Sequence, residues 1–252
     1  MKNHLSLRNL FAGVLLAWLV PTVATADVAI NEQNFPDANF RNFLREQDYG
    51  QDGVITDGEL MSITSMAPSN RNISSLEGIK YFTILMVLSC ENNQLTSLDV
   101  SGLRYLTRLH CSGNSLTSLD VSNCPRLEEI YCHANSLKGA SMDAFIETLM
   151  DRTPFTSTLY IYNEYGDGDN NVCTKSQVAA IKAKMWTPYY VYGVTEGGEW
   201  RVRVYEGSED TGIVAVETAQ HDDAVYTLGG VRLKDAPARG VYVRRGKKIL
   251  LP

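Results

Sequence analysis

Leu106-Thr107-Arg108-Leu109-His110-Cys111-Ser112-Gly113-Asn114-Ser115-Leu116-Thr117-Ser118-Leu119-Asp120-Val121-Ser122 is the stretch whose reading decides the fold. Shifted by 21 residues in either direction, it overlays near copies of itself within residues 73–137. Cys90, Cys111 and Cys132 share one column, Asn93, Asn114 and Asn135 a second, and Leu95, Leu116 and Leu137 a third. Leu85/Leu106/Leu127, Leu88/Leu109/Ile130, Leu98/Leu119 and Val100/Val121 complete the apolar lattice. A degenerate copy spaced one residue longer precedes them through Ile63, Met66, Ile73, Leu76 and Ile79.

Each column has a physical reason. Leu-x-Cys alternates with period two, so it reads as a short strand whose Leu and Cys point inward. A tight coil leaves backbone groups unpaired at its turn, and a recurring Asn amide supplies both a donor and an acceptor for them. One coil cannot bury its own apolar face, so copies stack. The pattern resembles a leucine-rich repeat with Cys at one ladder position. That resemblance implies an α/β solenoid with parallel strands on the concave face.

Upstream, residues 1–26 hold Lys2 and Arg8, the apolar run from Leu10 to Val20, then Pro21 and Ala24-Thr25-Ala26, with no acidic residue. This is the order of a secretory signal peptide, and the run is too short to span a bilayer. A mature chain beginning at Asp27 and a secreted or cell-surface location are expected. Loss of two cations takes the net charge from -6 to -8, which gives no footprint for nucleic acid.

Residues 27–72 read as a helical, EF-hand-like N-terminal cap. Phe40, Phe43 and Leu44 stand at helical spacing ahead of the loop from Asp48 to Glu59. In a twelve-residue calcium loop Asp48, Asp52, Val54 through its carbonyl, Thr56 and Glu59 are the ligand positions, and Gly53 is the sharp turn. Gly50 offers no oxygen at the third position, so the expectation is weak calcium binding or a degenerate loop kept as a cap.

Five cysteines remain after residue 26. Like positions on parallel strands lie about 4.8 Å apart, but parallel side-chain vectors fit a disulfide poorly, so buried free thiols are expected. Residues 138–206 read as an α+β C-terminal cap. Ser141 is the expected N-cap of a helix carrying Met142, Phe145, Ile146 and Leu149. Leu159 to Tyr162 reads as one more strand, Thr174 to Gln177 as a capping box, and Tyr189 to Val194 with Trp200 to Tyr205 as a closing hairpin. Residues 207–223 form a polar linker, and 224–252 a basic β tail.

The unit Leu-Thr-Ser-Leu-Asp-Val-Ser, with Asn34-Phe35-Pro36-Asp37-Ala38-Asn39-Phe40 and the EF-hand-like loop before it, resembles secreted leucine-rich-repeat proteins of the Bacteroidetes type, relatives of internalin-like surface proteins. The tail is similar to short type IX C-terminal sorting domains. Together these resemblances imply a non-enzymatic adhesion protein that meets the outer-membrane secretion machinery through its tail.

Strand residues flanking the inward Leu and Cys face outward, which makes Arg108, His110, Glu129, Tyr131 and His133 the candidate contact residues. Tyr160 and Tyr162 extend them. Tyr, Arg and His are common at interface hot spots, so the expected partner is a host or bacterial surface protein or a glycan. Two other readings stay open. One is a secreted cysteine-type hydrolase using Cys173 with His110 or His133; the other is a purely structural surface component.

Overall fold

A computed structural model describes residues 27–164, 169–194 and 200–208, together with the backbone of four strands within 225–251. In chain order the cap comprises β1 (Val28–Ala29), α1 (Ala38–Glu46), β2 (Val54–Ile55) and α2 (Asp57–Leu60). The coils contribute β3 (Ser65–Met66), β4 (Val87–Ser89), β5 (Arg108–His110) and β6 (Glu129–Tyr131). Then follow α3 (Ala140–Thr148), β7 (Ser157–Asn163), α4 (Lys175–Ala183), β8 (Trp186–Val194) and β9 (Trp200–Val204). The tail holds β10 (Val225–Tyr226), β11 (Arg232–Leu233), β12 (Gly240–Arg244) and β13 (Lys247–Leu251), paired antiparallel in the order β11-β10-β12-β13. The expected signal segment 1–26 and most of the linker 207–223 lie outside the described residues.

β3 to β9 form one seven-stranded sheet in sequence order. Pairing is parallel from β3 through β8 and turns antiparallel only at β9. Register keeps the predicted columns: Leu88, Leu109, Ile130 and Leu159 are cross-strand partners, all fully buried. Cys90, Cys111 and Cys132 sit behind them, while Phe82, Leu103 and Cys124 close the return side. Burying one such side chain stabilises by about 1.5–3 kcal/mol, so stacking, not propensity, holds strands only three residues long.

The asparagine column is a hydrogen-bond ladder. Asn93 Oδ1 accepts from Ile73 N (3.0 Å), Asn114 Oδ1 from Leu95 N (3.0 Å), and Asn135 Oδ1 from Leu116 N (2.9 Å). Each Nδ2 donates to carbonyls of its own and the preceding coil, as Asn135 does to Cys132 (3.0 Å) and Cys111 (3.1 Å). A fourth rung continues past the sequence repeat: Asn171 accepts from Leu137 N (2.8 Å) and donates to Cys132 (2.8 Å) and Ile161 (2.9 Å). Asn70, Asn92, Gly113 and Ala134 turn each coil with φ between 51° and 64°. At Gly113 a Cβ would fall 2.3 Å from Asn92 Oδ1, so a larger residue there requires the Asn92 amide to move.

These stacked, parallel-stranded coils fit a leucine-rich-repeat fold.

The ends are sealed by different devices. Asp37 N-caps α1 through Phe40 N (2.9 Å), and its other oxygen takes Ser74 N (2.8 Å), tying the cap to the first coil. Phe35, Phe40, Phe43 and Leu44 fill the gap beneath. At the far end Thr174 and Gln177 form the expected capping box of α4. Ser141 does not cap α3. Gly139 holds that position, while Ser141 Oγ closes a turn on the Lys138 carbonyl at 3.0 Å. The opposite end of α3 is finished by Lys184, whose ammonium donates to the carbonyls of Ile146 (2.8 Å), Glu147 (2.8 Å) and Leu149 (2.9 Å).

Candidate binding face

The sheet face turned away from the core carries two outward rows. The first runs Val87, Arg108, Glu129, Thr158 and Thr187; the second runs Ser89, His110, Tyr131, Tyr160 and Tyr189. Parallel register stacks like positions, and in the second row the rings meet. His110 and Tyr131 centroids are 4.3 Å apart, Tyr131 and Tyr160 4.0 Å at an interplanar angle of 6°, and Tyr160 and Tyr189 5.4 Å. Val204, 41% exposed, pairs with Tyr189 and ends the row. Aromatic pairs of this kind contribute about 0.5–1.5 kcal/mol beyond their area.

Of the expected contact residues, Arg108, His110, Glu129, Tyr131 and Tyr160 stand together on this face. Arg108 Nε reaches Glu129 Oε2 at 3.2 Å, and Glu129 Oε1 accepts the Tyr131 hydroxyl at 2.9 Å. Burial, then the bonds with Tyr160 and Glu129, pushes the Tyr131 phenol well above its usual range. The other two depart from expectation. His133 is only 7% exposed, and burial foremost brings its imidazole down to about 4, so it is a neutral packing residue rather than a contact. Tyr162 leaves the row because β7 bulges between Tyr160 and Tyr162. It pairs with Tyr190, packs against the core and stacks on Tyr205 at 5.6 Å. Tyr189 takes the place expected of it; 29 residues separate Tyr131 from Tyr160 and Tyr160 from Tyr189, so a period of 21 passes over both.

The loop from Asp48 to Glu59 is organised by its own bonds. Glu59 Oε2 accepts from Thr56 N and Thr56 Oγ1, both at 2.8 Å, completing the capping box of α2. Asp52 accepts from Val54 N (3.0 Å), and Gln51 donates to Asp48 at 3.4 Å. Val54 and Ile55 pair with Ala29 and Val28, so β1 fills the place a second hand would take. A Cβ on Gly50 would lie 2.0 Å from the Leu44 carbonyl oxygen, which is why no ligand side chain stands at the third position. The carboxylates are therefore not gathered around a common centre. Among the described residues no three His, Cys, Asp or Glu side chains are arranged to hold a metal ion.

All five cysteines are free and buried, as expected. Desolvation raises every one of these thiols, Cys111 and Cys173 to about 12 and Cys124 to about 11. Cys173 takes the inward place held by Leu95, Leu116 and Leu137 in earlier coils, two residues past its asparagine, and is 2% exposed. A nucleophile needs a thiolate in reach of substrate. Cys173 is shifted the wrong way and sealed, which removes the basis of the cysteine-hydrolase reading.

Solved structures similar to this chain include three Listeria monocytogenes proteins. The functional domain of InlJ, described as including a cysteine ladder, is 30% identical over 46% of this chain and 26% of its own length, with a TM-score of 0.41. The internalin inlF is 26% identical over 66% and 46%, with a TM-score of 0.48. Internalin C2 is 17% identical over 65% and 87%, with a TM-score of 0.32. The chain thus spans about a quarter of the first and under half of the second. No protein-family model matches the sequence, and no curated protein matches it. Among the described residues no helix is long and apolar enough to cross a membrane.

Proposed function

We propose that this is a non-enzymatic binding protein that holds a protein partner on the open face of its sheet. The carrying observation is the unbroken ring row His110, Tyr131, Tyr160 and Tyr189 across four adjacent strands. Within it the faces of Tyr131 and Tyr160 cover each other at 4.0 Å, so the row offers ring edges and polar rims outward. A sugar ring packs on an aromatic face, and the inner faces here are taken. Edges and hydroxyls suit the side chains and backbone of a polypeptide instead, which favours a host or bacterial surface protein over a glycan.

Export and surface display rest on the leader-like residues 1–26 and on the resemblance of the tail to sorting domains. The loop from Asp48 to Glu59 is read as a structural cap, because a calcium ion would have to draw Glu59 away from Thr56.

The test is an array of extracellular proteins and glycans probed with the purified protein. Tyr131→Ala with Tyr160→Ala should weaken the recovered interaction at least tenfold, about 1.4 kcal/mol, with an unchanged circular dichroism spectrum. Arg104→Ala with Arg126→Ala, away from this face, should leave it intact. The opposite ranking would move the site, and recovery of glycans alone would replace the partner class.

A further inference from the structure

Among the described residues the open face also carries a carboxylate with an unpartnered oxygen. Glu91 follows Ser89 by two residues at the end of β4, on the same outward alternation. Its Oε2 is buried and has no hydrogen-bond partner, and the same holds for Nε2 of His110, on which the Glu91 charge acts. The neighbouring charges are already engaged: Arg108 lies 3.2 Å from Glu129, whose second oxygen holds the Tyr131 hydroxyl. So Glu91 carries the net charge of this part of the face, beside the exposed rim of the ring row. A carboxylate oxygen shielded from water and lacking a donor is costly, and a donor that reaches it recovers that cost.

We propose, resting on the binding reading above, that the partner protein seats a basic side chain, arginine in the first place, between Glu91 and His110. A guanidinium carries several N–H donors in one plane. One can bond Oε2 of Glu91 while another bonds Nε2 of a neutral His110, and the stem packs along the edge of Tyr131. Burial lowers the tendency of His110 to protonate, and a cation beside it acts in the same direction, so that nitrogen stays an acceptor when the site is filled.

The experiment titrates the purified full chain with ethylguanidinium chloride while following the His110 and Tyr131 ring resonances by NMR. Ethylurea serves as the neutral probe of the same shape. The expected result is a saturable shift of both rings with ethylguanidinium, no shift with ethylurea, and at least tenfold weaker binding in Glu91→Gln. Equal shifts with both probes, undiminished binding in Glu91→Gln, or only unsaturable shifts scattered over the surface would each overturn the proposal. Once the partner is in hand the two readings separate. If Tyr131→Ala with Tyr160→Ala abolishes binding while Glu91→Gln binds normally, only the arginine seat is wrong; if both variants bind normally, the face itself is wrong.

Discussion

Removing one rung of the asparagine ladder should cost more than removing any single exposed residue of the sheet. Asn135 is 1% exposed, accepts from Leu116 N at 2.9 Å and donates to the Cys132 and Cys111 carbonyls at 3.0 and 3.1 Å. Asn135→Ala leaves the Leu116 amide without its partner, at a cost of about 1–3 kcal/mol, and takes one of two side-chain donors from each of the Cys132 and Cys111 carbonyls, which keep Asn171 and Asn114. With the weakened carbonyl bonds added, the expected loss is about 2–3 kcal/mol, a sizeable part of the about 5–15 kcal/mol that holds a typical domain. Asn93, half buried at the first full coil, should cost less when changed to Ala, about 1–2 kcal/mol. Asn135→Asp keeps the acceptor but sets a charge against two carbonyl oxygens, so it should be no better than Ala. Urea unfolding followed by circular dichroism measures this, with an unchanged m-value as the check that the unfolding unit is the same. A loss under about 1 kcal/mol for Asn135→Ala, below one unsatisfied group, or a larger loss at Asn93, would refute the account of the ladder.

Burial holds His133 at about 4 in the folded chain against 6.5 when exposed, so the unfolded chain takes up that proton first as pH falls. Its contribution is complete above about 6.5 and is lost toward pH 4, by at most about 3 kcal/mol, and His133→Gln should flatten that part of the Tm profile; an unchanged slope counts against the burial argument. Lys184→Met keeps the stem but removes three charge-assisted bonds to the end of α3, for a loss of about 1.5–3 kcal/mol, whereas a neutral result would mean water caps that helix equally well. Calcium at the millimolar level typical of weak extracellular sites should leave Tm unchanged, because Glu59 is committed to Thr56. A saturable rise that Asp48→Asn abolishes would show that the loop rearranges around the ion.

How much of this was legible depended on whether a feature repeated. Spacing by 21 exposed the buried leucine, cysteine and asparagine columns, because every coil solves the same packing and hydrogen-bonding problem with the same residue. The fourth rung escaped notice because α3 and β7 are inserted before Asn171, and Cys173 escaped as an inward ladder residue for the same reason. Tyr189 lies on a strand that could be read as half of a hairpin; its parallel pairing with β7 comes from α4 crossing back over the sheet, which only tertiary packing reveals. Tyr162 keeps the alternation of β7, with Ile161 buried before it, but the register shift against β8 pairs it with Tyr190 and sets it against Tyr205 rather than in the ring row. Gly50 was legible as a missing ligand but not as a close contact with Leu44, since nothing local in the loop reports the backbone across from it.

Oxidative footprinting of tyrosines, free and in complex with the partner, tests the central claim most directly. Tyr131, Tyr160 and Tyr189 should lose reactivity together on binding, while Tyr105, 45% exposed and stacked under Arg126 away from the row, should keep its own. Protection of Tyr105 with the three row tyrosines unchanged would contradict the assignment of the open face as the binding site.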